Sequence, residues 1–76
     1  MARITPIHYR KLAKVFEKDG WFLVKQTGSH LQYKKEGMIR RVVIPCYQQV
    51  PVFVIKNNLR TAGISREEYF KLLDEI

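Results

Sequence analysis

Six glycine and proline residues, Gly20, Gly28, Gly37, Pro45, Pro51 and Gly63, cut this 76-residue chain into stretches that each hold no more than one helix or strand. Glycine supplies the left-handed backbone that ends helices and closes tight turns, and proline removes a backbone donor. Between these marks the apolar pattern names the elements. Thr5 as N-cap and Pro6 at the first helical position predict a helix over about residues 6–19, with Tyr9, Leu12, Val15 and Phe16 along one stripe. Trp21–Thr27 is aromatic and β-branched, which predicts a strand. His30–Lys34 alternates polar and apolar and predicts a second, and Ile39–Ile44 predicts a third, stopped by Pro45.

Cys46–Val50 reads as a loop. Val52-Phe53-Val54-Ile55 suits a strand by propensity, but Ile55, Asn58, Leu59 and Ala62 continue a helical stripe, so a helix from Pro51 to about Ala62 is expected. Ser65 with Glu68 three residues on forms a capping box for a last helix that buries Tyr69, Leu72 and Leu73. The order is α-β-β-β-α-α, an α+β fold in which a three-stranded antiparallel sheet carries helices on one face.

A chain this short makes one domain, residues 1–76, and buries only about 60% of the surface its unfolded form exposes. Activity is therefore expected on a surface or shallow groove, with no large cofactor. Fourteen Lys and Arg stand against seven Asp and Glu, a net charge of +7. Residues 1–41 hold ten basic and three acidic side chains, whereas residues 42–76 hold four of each. Charge gathered in one half suits a polyanion whose counterions the cations displace, although a plain solubility charge is the alternative. An anionic membrane fits less well, because no helix joins a broad basic face to exposed Trp or Phe. The neutral second half gives little support for DNA binding through the C-terminal helices. One cysteine, Cys46, allows no intramolecular disulfide, and the chain shows no signal sequence or apolar run of membrane-spanning length. A cytoplasmic protein is expected.

Few residues could carry chemistry. His8 and His30 lie 22 residues apart on different elements, so no metal set is expected, and a phosphate loop, paired carboxylates and a serine-nucleophile motif are all missing. Parity places His30, Gln32 and Lys34 on one face of the second strand, while Leu31 and Tyr33 suit the helix-covered side. An exposed imidazole can take or give a proton near neutral pH. RNA asks for little more, since its own 2′-OH is the nucleophile, and Lys25, Lys34, Arg40 and Arg41 on adjacent strands are available as cations. The plain alternative is a polar residue at a strand start. His8 reads as solvent-facing in the first helical turn, Trp21 as a core anchor, Tyr47 as a weak base-stacking candidate and Cys46 as a filler. Arg66-Glu67-Glu68 reads as a solvated helix start.

Gly28-Ser29-His30 at the start of the second strand, about eight residues after the helix-ending Gly20, resembles the signature of HicA-type toxins. Leu59-Arg60-Thr61-Ala62-Gly63-Ile64-Ser65-Arg66-Glu67-Glu68-Tyr69 is similar to the C-terminal helix-turn-helix of the same family. The resemblance covers roughly residues 6–73. It implies a double-stranded-RNA-binding-like fold, a ribosome-independent mRNA endonuclease without a cofactor, and a HicB-type antitoxin as partner. By resemblance His30 is the catalytic histidine, and Gly28 and Ser29 support it, Gly28 through a tight turn and Ser29 by holding the histidine or a phosphate. Two positions depart from the family pattern: Cys46-Tyr47 stands where many relatives carry a histidine or other polar residue, and Phe53-Val54 where Gly-Thr is common. A non-catalytic RNA-binding module of the same fold is the rival reading.

Overall fold

A computed structural model describes residues 3–76. Its elements follow the order α1 (Tyr9–Lys18), β1 (Phe22–Thr27), β2 (His30–Lys34), β3 (Val42–Pro45), α2 (Val52–Ala62) and α3 (Arg66–Asp74). The strands form an antiparallel meander in the order β1-β2-β3, with β2 in the centre. This is the expected α+β, double-stranded-RNA-binding-like arrangement. No helix among the described residues is long and apolar enough to cross a membrane.

The first helix begins later than Thr5-Pro6 predicts. The Ile7 carbonyl accepts the Val50 N–H at 2.7 Å, in an isolated antiparallel bridge that holds this segment extended. His8 becomes the N-cap instead, and its Nδ1 accepts the Arg10 N–H at 3.2 Å. A ring nitrogen thus does what the Thr5 hydroxyl was expected to do.

The helix ends as Gly20 predicts. Gly20 sits at φ +96°, the Trp21 N–H reaches back to the Phe16 carbonyl and the Gly20 N–H to that of Glu17. This pair of bonds, with the residue beyond the glycine packing on the last turn, satisfies carbonyls that would otherwise be orphaned. Trp21 is 2% exposed and meets Phe16 edge-on, with ring centroids 6.3 Å apart. Its indole N–H donates to Asp19 Oδ2, which also takes the Lys35 ammonium, both at 3.2 Å. Trp21 is a core anchor, as expected.

Alternation in β2 is complete: Leu31 and Tyr33 are buried, Gln32 is half-buried, and His30 and Lys34 are exposed. In β1 the register slips by one residue between Leu23 and Lys25. Val24 is thereby a bulge, which lets Leu23 pair with Tyr33 and Lys25 with Gln32. Every residue of β1 is exposed, in keeping with an edge strand.

The third strand is shifted from the expected Ile39–Ile44 to Val42–Pro45. Tyr33 pairs with Val42 and β2 runs only one residue further, to Lys34, so Ile39 stays outside the sheet and is 99% exposed. Pro45 is not the stop but the last rung, opposite His30. The next ladder bond runs from the Cys46 N–H to the Ser29 carbonyl at 2.7 Å, so at this position proline's missing donor costs nothing.

The helices cover the Leu31/Tyr33 side. Leu12, Val15 and Phe16 of α1 and Ile55 of α2 meet Val42 and Ile44 in the core. Val52–Ala62 is helical, ended by Gly63 at φ +70°, and the Ser65 hydroxyl caps α3 by accepting the Glu68 N–H at 3.1 Å.

Tyr33 ties sheet to helix, its hydroxyl donating to Glu17 Oε2 at 3.1 Å. Burial, and then the hydrogen bond and charge of Glu17, push its pKa from 10.0 up to about 12. The unfolded chain therefore loses this proton first. The stability it protects is whole below pH 10 and falls as pH rises towards 12. A shift of that size corresponds to a loss of up to about 3 kcal/mol. Tyr33→Phe should remove most of the alkaline loss when urea midpoints at neutral pH and at about pH 11 are compared. Tyr69, whose pKa burial also raises, leaves a residual slope. An undiminished alkaline loss in the variant would contradict the assignment.

Candidate active site

The open face of the sheet is built row by row from the register. Thr27, His30 and Pro45 form one row, and Lys25, Gln32 and Val43 the next. Phe22 and Lys34 begin a third. Residues two apart on a strand are about 7 Å apart along it, so His30, Gln32 and Lys34 make a short ladder down the centre of this face.

His30 is placed by the tightest turn in the sheet. Thr27 pairs with His30 across a two-residue loop, Gly28-Ser29. Gly28 has φ +57°, and no non-glycine among the described residues has a positive φ. Positive then negative φ is the pattern of a type II′ turn, whose twist matches the strands it joins. A Cβ at Gly28 would meet nothing within 4 Å, so the backbone conformation, and not space, favours glycine there.

The Ser29 carbonyl is taken by the Cys46 N–H, which fastens the turn to the end of β3. The Ser29 hydroxyl has no hydrogen-bond partner among the described residues, and the His30 imidazole is exposed with no hydrogen bond or ion pair among them. Both ring nitrogens are open to a ligand.

Cations surround it unequally. Lys25 and Lys34 lie on strands, as expected, and both are exposed. Arg41 precedes β3 yet returns to the open face, where its Nη1 donates to Gln32 Oε1 at 3.0 Å. Arg40 does not sit on a strand: it lies beside Ile39 in the bend before β3, because that strand starts at Val42. None of these four has an acidic partner among the described residues, whereas Lys35 is spent on Asp19. The face is therefore positive, un-neutralised and shallow. Two cavities, of about 470 and 310 Å³, are lined by helix and terminal residues and not by His30.

Sequence reasoning missed Gln32 as the anchor of Arg41. Parity put Gln32 on this face between His30 and Lys34, but which side chain would cross to it depends on how β3 pairs. The two departures from the family pattern divide in the structure. Val54 packs against the core and Phe53 is 68% exposed. Cys46 is half-buried and Tyr47 half-exposed, with the Tyr47 carbonyl accepting the Tyr9 N–H at 3.1 Å. His8 is exposed and caps α1, away from the sheet. No group of three or more His, Cys, Asp or Glu side chains among the described residues could hold a metal ion.

An exposed histidine in a cationic sheet face can exchange a proton with a bound polyanion, and the neighbouring cations can hold its phosphates. No protein of curated function matches the chain. Residues 9–64, which include all three strands, match the family model described as the HicA toxin of bacterial toxin–antitoxin systems, and the chain belongs to that family.

Proposed function

We propose that this toxin is a ribosome-independent, metal-independent mRNA endonuclease in which His30 is the general acid or base. One observation carries the reading: the hairpin presents an unpartnered imidazole on an open face among cations that no acid neutralises. In the reaction the RNA 2′-oxygen loses its proton and bonds to the adjacent phosphorus. The bond from phosphorus to the 5′-oxygen breaks, and that oxygen takes up a proton. A single imidazole serves one of these transfers at a time, and the other falls to water, Ser29 or a lysine. Gly28 supports the site through the turn.

Lys25, Lys34, Arg40 and Arg41 are the proposed phosphate contacts. Arg41 is held by a hydrogen bond to Gln32, and Arg40 lies furthest from regular structure. Specificity is expected to be weak and the target single-stranded, because in-line attack needs a splayed backbone. A HicB-type antitoxin is the proposed partner in the cytoplasm, setting carboxylates against this face so that association slows as salt rises.

The same unpartnered imidazole leaves room for a binding module that cuts nothing, since no protein group orients either nitrogen. Labelled single-stranded RNA incubated with the protein and EDTA separates the readings. Cleavage should persist, and His30→Ala should lower its rate by about 10²–10⁴-fold with an unchanged thermal unfolding curve. A gel shift without shortening of the RNA would favour the module. A folded variant that cuts at the native rate would remove His30 from the chemistry.

Binding provides a second check. Each cation removed singly from Lys25, Lys34 or Arg41 should lower the salt slope of single-stranded RNA binding by about 0.7. A slope that does not move would show that the residue touches no phosphate.

A further inference from the structure

The C-terminal half is neutral by count, yet three of its four cations line one cavity. Lys56, Arg60 and Arg66 line a cavity of about 310 Å³ whose remaining lining is Ile4, Leu59 and Ile64. No acidic residue lines it, and the four acids of this half, Glu67, Glu68, Asp74 and Glu75, all lie on or just beyond α3. The cavity is not an isolated patch. Phe53, Lys56 and Arg60 follow one another at spacings of three and four on α2, so they share one face of that helix. All three are exposed, Phe53 to 68%, so α2 does join an exposed Phe to cations, contrary to the expectation from sequence.

In the chain, this stripe follows the loop that leaves the candidate active site. The Cys46 N–H is bonded to the Ser29 carbonyl beside His30, Tyr47 follows with its side chain half-exposed, and the same loop leads into α2. From the hairpin onward the chain thus carries two exposed aromatic rings, Tyr47 and Phe53, and then the cations of the cavity. Seven residues of helix separate Phe53 from Arg60, a span of about 10 Å. Arg66, in the first turn of α3, also lines the cavity, and its guanidinium lies 5.5 Å over the Phe70 ring.

We propose that single-stranded RNA bound at the His30 face continues along the exposed face of α2, with bases against Tyr47 and Phe53 and a phosphate in the Lys56–Arg60–Arg66 cavity. The inference rests on the RNA reading of the sheet face and extends the substrate path to a second site. Rings followed by cations suit a nucleic-acid strand, in which every base offers a flat face and every linkage a charge. An acidic protein segment would use the cations but has no need of two exposed rings leading in from the hairpin.

The test uses His30→Ala protein, so that binding is read without cleavage, and fluorescein-labelled oligouridylates of about 4 and about 16 nucleotides. The parent should bind the longer RNA much more tightly than the shorter. Adding Lys56→Ala and Arg60→Ala together should shrink that gain several-fold and lower the salt slope for the longer RNA by about 1.4. Adding Phe53→Ala instead should weaken the longer RNA and leave the slope in place, because stacking releases no counterions. These side chains are exposed, so unfolding curves should match the parent. Unchanged binding of the longer RNA by both variants would overturn the inference while leaving short-RNA binding at the sheet intact. Loss of binding to a poly-glutamate peptide, with RNA binding unchanged, would also overturn it and assign the cavity to a protein partner. A parent that binds neither RNA would overturn both this path and the proposed function.

Discussion

Strand β2 is paired on both sides, and the burial of Leu31 and Tyr33 between sheet and helices holds its register. Each large apolar side chain so buried contributes roughly 1.5–3 kcal/mol, a substantial share for a chain of this size. A slip of one residue would carry both to solvent and drive His30, Gln32 and Lys34 into the core. The position of the imidazole is therefore a consequence of hydrophobic packing on the opposite face. The type II′ hairpin and the Cys46–Ser29 ladder bond then fix the first rung of β2, the rung on which His30 sits.

What could be read from the sequence was local. Gly20, Gly63 and Ser65 end or begin helices through contacts within a few residues, and each does so in the structure. Period-two alternation gave β2 to the residue and the open side for His30. What could not be read depended on distant partners. The start of α1 is decided by Val50, over forty residues away, and the ends of β3 by its pairing with a five-residue β2. The Val24 bulge has no mark in the sequence, yet without it Lys25 would turn to the helix side. The strand positions and exposure of His30, Lys25 and Lys34 were legible in the sequence, but the Gln32–Arg41 bond and the displacement of Arg40 required the fold.

Electrostatics divides the molecule in a way that charge counting obscured. Asp19 and Glu17, at the end of α1, are occupied by Lys35, Trp21 and Tyr33, which keeps acidity away from the open face. In the helical half, Lys56, Arg60 and Arg66 line a cavity that no acidic residue lines. The residues that match the HicA toxin family, 9–64, include the hairpin and all three strands. In the proposed mechanism the protein supplies a positioned proton carrier and a positive field, and the RNA supplies the nucleophile.

That division of labour leaves a chemical signature in the products. End-group analysis of RNA cut by the purified protein in EDTA reads it directly. Attack by the 2′-oxygen predicts 2′,3′-cyclic phosphates on one side of each cut and 5′-hydroxyls on the other. Products ending in 3′-hydroxyls and 5′-phosphates would mean that water, not the RNA, is the nucleophile, and would contradict the account.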